Sequence, residues 1–160
     1  AVLLGLMLAF EPKEKGLMDK QPRPPGSSIL TSGLMIRIFY VGVLLLVLAF
    51  GAFWYMLQQA AAIEQARTVA VNIFVFGEMF YLFTCRSMTR SMFALGLFSN
   101  KWLLLGAGVM ALLQLGFTYL PFMNLIFEST PIGWIHWMII LASSLLIYAT
   151  VEIQKYFASA

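Results

Sequence analysis

From Ile38 to Ile63 the chain carries no charged residue, and IFYVGVLLLVLAFGAFWY, Ile38–Tyr55, is apolar almost throughout. At about 1.5 Å per helical residue, such a run matches the roughly 30 Å hydrocarbon core of a bilayer. No water reaches backbone N–H and C=O groups there, so each must be paired within its own segment, and a helix does this. Three more stretches share this character: Arg67–Cys85, Trp102–Leu120 and Trp134–Val151. The 160 residues are 61% hydrophobic and 11% charged, whereas a soluble domain has about 25% charged residues. That leaves too little polar surface to cover a water-soluble globule. The expected fold is an all-α membrane protein: a bundle of four complete transmembrane helices, about 34–57, 67–85, 102–120 and 134–153, plus the end of a preceding one.

Residues 1–10, AVLLGLMLAF, are too few to span a bilayer. They lack the basic n-region of a signal peptide. They are expected to be the tail of a truncated helix from a longer polypeptide. The segment 11–32, EPKEKGLMDKQPRPPGSSILTS, is rich in Pro, Gly, Ser and charge. It reads as an extra-membrane loop, extended around Pro22, Pro24 and Pro25. Gln58–Gln65 reads as a polar link, Arg86–Lys101 as a loop, and Phe122–Gly133 as a turn-rich link after Pro121. EIQKYFASA reads as a short tail.

Basic residues set the expected orientation. Lys13, Lys15, Lys20, Arg23 and Arg37 flank the first loop, Arg86, Arg90 and Lys101 the middle loop, and Lys155 lies in the tail. Only Arg67 falls on the other side. The positive-inside rule then puts 11–32, 86–101 and the tail in the cytoplasm. Trp54, Tyr55, Tyr119, Trp134 and Trp137 mark the opposite interface, with His136 as an interfacial side chain. The net charge of +3 is spread along membrane edges, which does not suggest a nucleic-acid partner. The single cysteine, Cys85, has no partner for a disulfide or a metal site and reads as a small apolar residue near a helix end.

Glu78 is the candidate functional residue. Counted from Arg67 it lies roughly 16 Å into the core, where a carboxylate costs at least about 2.5–3.5 kcal/mol. That cost points to a cation or proton site, or a buried partner. Asn72 and Gln114 are secondary polar candidates, each also explicable as an interhelical hydrogen bond. Asn72 is about 120° around the helix from Glu78, so the two do not share a face. Gly77, Gly106, Gly108 and Gly116 suggest close helix contacts. Glu152 and Lys155 are spaced to pair at the membrane edge. No catalytic motif of soluble enzymes is present: no Walker loop, dinucleotide fingerprint, His/Cys metal cluster or Ser–His–Asp set. The chain by itself is not expected to hydrolyse ATP, because phosphoryl transfer needs a nucleotide-binding scaffold.

The segment AFEPKEKGLMDKQPRPP resembles the stretch after the sixth transmembrane helix of P-type cation-transporting ATPases of the calcium-pump-like group. The shared elements are Phe10-Glu11-Pro12, Met18-Asp19 and Pro22-Arg23-Pro24. RTVAVNIFVFGEMFYLFTCRS resembles the eighth helix, SNKWLLLG opens a segment like the ninth, and TPIGWIHW and VEIQKYF bracket one like the tenth. The resemblance implies the C-terminal transmembrane region of such a pump, beginning inside the sixth helix. It implies that Glu78 matches a cation-ligating Glu of the eighth helix. It also implies that the loop 11–32 touches cytoplasmic machinery carried by the N-terminal part of the same polypeptide. ATP and Mg2+ are then cofactors of the full-length pump, with none held within this chain. Counting back from Glu11-Pro12, the resemblance puts the family's ion-binding Asp of the sixth helix near Ala1, where this chain has Ala; some bacterial pumps of this type carry an apolar residue there. The implied setting is a prokaryotic plasma membrane, and the implied partners are the transported cation and the lipid bilayer. The alternatives are a non-enzymatic four-helix membrane subunit or scaffold, and a proton or ion channel using Glu78 as its relay.

Overall fold

A computed structural model describes residues 2–13, 26, 30–87, 92, 96 and 98–159. All regular structure among them is helical: α1 Val2–Leu8, α2 Ser32–Gln58, α3 Ile63–Thr84, α4 Lys101–Tyr119, α5 Pro121–Phe127 and α6 Trp134–Ser159. The all-α reading therefore holds. Four of these, α2, α3, α4 and α6, are long and apolar enough to cross a membrane. Ala1, residues 14–25 with their three prolines, and Arg90 lie outside the described residues.

Helix ends differ from the sequence reading for identifiable reasons. The link before α3 is shorter than Gln58–Gln65, because Ala60 turns the chain in a left-handed conformation (φ 56°) and α3 starts at Ile63. Pro121 does not merely stop α4. It is the first residue of α5, where its fixed φ suits a helix start and its missing N–H is no loss. The tail EIQKYFASA continues α6 as far as Ser159. α2 is capped by Thr31, whose hydroxyl accepts from the Leu34 N–H at 3.3 Å.

α3 is the hub. It packs against α1, α2, α4 and α6, and 44% of its most apolar stretch is buried, against 22–28% in the other three long helices. Ala66, Val69 and Ile73 of α3 are fully enclosed, as are Leu103 of α4 and Ile140, Ile147 and Val151 of α6. The outer faces are the reverse. Phe39, Leu46 and Phe50 of α2, Leu112 of α4 and Leu145 of α6 are more than half exposed. In water such a surface would drive aggregation; against lipid tails it costs nothing. Gly77 is where α2 and α6 close on α3, since a Cβ there would lie 2.7 Å from Leu45 Cδ2 and 2.8 Å from Ile147 Cδ1. The close helix contact expected there is thus made by side chains of the neighbouring helices. Of Gly106, Gly108 and Gly116, only Gly106 meets another helix, at Met7 of α1.

Polar ties close both ends. At the end bearing Arg37, Arg86, Lys101 and Lys155, here called the basic end, Arg37 Nε donates to Gln154 Oε1 at 3.2 Å. Lys155 Nζ reaches the Thr84 carbonyl at 2.6 Å and Glu152 Oε1 at 2.8 Å. A cation on the last carbonyls of α3 complements the helix dipole. At the opposite end the Thr130 N–H donates to Thr68 Oγ1 at 3.0 Å. Trp137 Nε1 donates to the Tyr119 hydroxyl, which donates to the Ile132 carbonyl, at 2.7 and 2.9 Å. Arg67 meets Glu128 at 2.6 Å on the surface, where an ion pair contributes little.

Candidate functional site

Glu78 stands half-buried along α3. Its helical neighbours at i−4 and i−7 are Phe74 and Val71, 43% and 36% exposed. Residues at that spacing share one side of a helix. Glu78 therefore belongs to the flank of α3 that the other described helices leave most open, about 100° round from Gly77. Asn72, fully buried, sits on the seam with α4. Its Nδ2 donates to Thr118 Oγ1 at 3.1 Å and to the Thr68 carbonyl at 2.8 Å. Thr118 in turn donates to the Gln114 carbonyl at 2.9 Å. The structure thus brings Asn72 and Gln114 into one seam and leaves Glu78 on another side of α3. Two buried atoms of this seam, Asn72 Oδ1 and Gln114 Nε2, find no partner among the described residues; one is an acceptor and the other a donor.

Among the described residues, no group of three or more His, Cys, Asp and Glu side chains gathers. A hard cation takes several oxygen ligands, so Glu78 would be one of several contributors. His136 lies half-buried at the start of α6.

A second polar cluster is denser. Arg86, at the end of α3, has a fully enclosed side chain and pairs with Glu11, which is 17% exposed. Arg86 Nε lies 3.0 and 3.1 Å from the two Glu11 oxygens, and Nη2 lies 2.7 Å from Oε1. Nη1 donates to the Gly96 carbonyl at 3.0 Å, and Nη2 also meets Ser99 Oγ. Asn100 caps α4 by accepting from the Leu103 N–H at 2.9 Å. Its Nδ2 donates to Glu11 Oε2 at 2.8 Å and to the Met7 carbonyl at 3.3 Å. Sequence reasoning gave Arg86 and Glu11 separate roles, as a topology mark and as part of a loop motif, and passed over Asn100. The cap was the one signal available: Asn100 directly precedes the apolar run of α4.

Residues 1–157 match the family described as "Cation transporting ATPase, C-terminus". The "Probable cation-transporting ATPase F" of Mycobacterium tuberculosis is 47% identical over 142 residues, covering 89% of this chain and 16% of that protein. The "Cation-transporting ATPase pma1" of Synechocystis is 34% identical over 149 residues, covering 88% of this chain and 16% of that protein. The "Calcium-transporting ATPase 1" of Yarrowia lipolytica is 29% identical over 150 residues, covering 94% and 16%. The chain thus spans about a sixth of the length of these relatives. With four apolar helices matched almost from end to end, it belongs to the C-terminal membrane region of the P-type cation-transporting ATPases.

Proposed function

We propose that this chain serves an ATP-driven cation pump as the C-terminal part of its transport domain, with Glu78 lending a carboxylate oxygen to the cation or a proton in exchange. One observation carries the reading: a carboxylate on the most enclosed helix, more than one turn inside its end at Thr84 and on its least covered flank. The remainder of the polypeptide would cover that flank, supply the other oxygens and bind ATP and Mg2+. The names of the yeast relatives favour calcium as the first cation to try. The test is cation-dependent ATPase activity of the full-length protein carrying Glu78→Gln or Glu78→Ala, at matched expression. Glu78→Ala is expected to raise the half-activating cation concentration at least about tenfold, the equivalent of one lost contact to a charged group. Glu78→Gln, which keeps one carbonyl oxygen, should raise it less. Wild-type affinity in Glu78→Ala would reduce Glu78 to a packing residue.

We further infer that the basic end faces the cytoplasm, in a prokaryotic plasma membrane, on the strength of the asymmetry of Lys and Arg. The loop 11–32 would then reach the cytoplasmic domains. An epitope placed beside Gly26 should stay hidden in sealed right-side-out vesicles and become accessible on permeabilisation. Detection before permeabilisation would reverse the orientation.

A further inference from the structure

Three independent contacts fasten the last turns of α1. The first is the Arg86–Glu11–Asn100 cluster, which joins the exit of α1 to the end of α3 and the first turn of α4. In the second, Met7 sits on Gly106 so closely that a Cβ there would lie 2.6 Å from Met7 Cγ. In the third, the rings of Phe10 and Trp102 meet with centroids 5.5 Å apart. Leu4, one turn earlier, is 2% exposed.

We propose that Arg86 is a positioning residue: through Glu11 it holds the second half of α1 and the exit that follows it, Leu4 to Glu11, on α3 and α4 as one rigid body throughout transport. The inference rests on the pump reading. Its physical ground is an asymmetry of costs. Apolar side chains slide past one another with small, compensating changes. A fork-shaped guanidinium that is fully enclosed cannot leave its carboxylate without stranding a charge. Any shift of the polypeptide leading into α1 is therefore taken up before Leu4.

The same geometry supplies the test. An ideal Cβ at Gly106 lies 3.6 Å from Met7 Cβ, inside the range of about 3.5–4.5 Å that a disulfide requires. The full-length polypeptide would carry Met7→Cys and Gly106→Cys together with Cys85→Ala. Membranes would be oxidised in two conditions, one with calcium chloride and the other with a calcium chelator and orthovanadate. The pair is expected to close at the same rate in both, and the closed protein to keep its calcium-dependent ATPase. A pair that fails to close, closes in one condition only, or abolishes activity that reduction restores would overturn the clamp. Adding Arg86→Lys keeps the charge and loses the fork. The two closure rates should then separate by about tenfold, the equivalent of one charge-assisted hydrogen bond. Rates that stay equal would remove Arg86 from the role. If the unmodified protein shows no ATPase activity with calcium, manganese or sodium, the pump reading fails, while the closure rates still report on the clamp.

Discussion

Arg86→Met is expected to lower stability by about 3–5 kcal/mol, the usual cost of removing one partner from a buried ion pair. The arginine side chain has no solvent access and its carboxylate partner little. Taking away the guanidinium leaves the Glu11 carboxylate with Asn100 alone among the contacts described for it, and takes one partner each from the Gly96 carbonyl and the Ser99 hydroxyl, which keep their bond to each other. The check is thermal denaturation of the full-length protein in detergent, followed by tryptophan fluorescence. The double variant Arg86→Met/Glu11→Leu should recover most of the loss, because an apolar pair of similar volume replaces an ionic one at little net cost. A loss below about 1 kcal/mol, typical of an exposed pair, would mean that water reaches the site.

Gly77→Leu should be at least as damaging. A Cβ alone would fall 2.7 Å from Leu45 and 2.8 Å from Ile147, both buried and on different helices. No single rotation relieves both contacts. Gly77→Ala is expected to cost about 1–3 kcal/mol by overpacking, and Gly77→Leu more, by prising α2 or α6 from α3. Gly108→Ala is the control. Nothing lies within 4 Å of its added Cβ, and alanine is the better helix former by up to about 1 kcal/mol. The same denaturation assay applies. Equal stabilities of Gly77→Ala and Gly108→Ala would mean that the close seam at Gly77 is not there.

The number and class of the long helices were legible because lipid leaves the backbone few choices: an apolar run such as Ile38–Tyr55 has one solution. Helix ends were less legible, because polarity at a membrane edge does not stop a helix. Glu64 and Gln65 look like linker residues and yet lie in the first turn of α3. The turn before them is made by Ala60, a residue type that gives no turn signal. At the far end Gln154 and Lys155 look like a solvated tail, but they are the residues that fasten α6 to α2 and α3. The candidate site was legible in part. Glu78 stands out by the cost of its charge, and the spacing of Asn72 correctly separates the two. The clamp on α1 was not legible, since Glu11 lies 75 residues from Arg86 and 89 from Asn100, and none of the three is unusual in its local setting.

The central position of α3 also bears on how such a chain is made. Helices enter a membrane in the order of synthesis, and α3 enters well before its last neighbour. Until α6 arrives, Ile73 and Phe76 have only part of their final packing, and the Thr84 carbonyl waits for a lysine 71 residues downstream. The helix on which the rest is built is therefore the last to be fully enclosed. For as long as translation takes to reach Lys155, the nascent bundle exposes its own centre, and that interval is when a membrane chaperone or protease would find most to recognise.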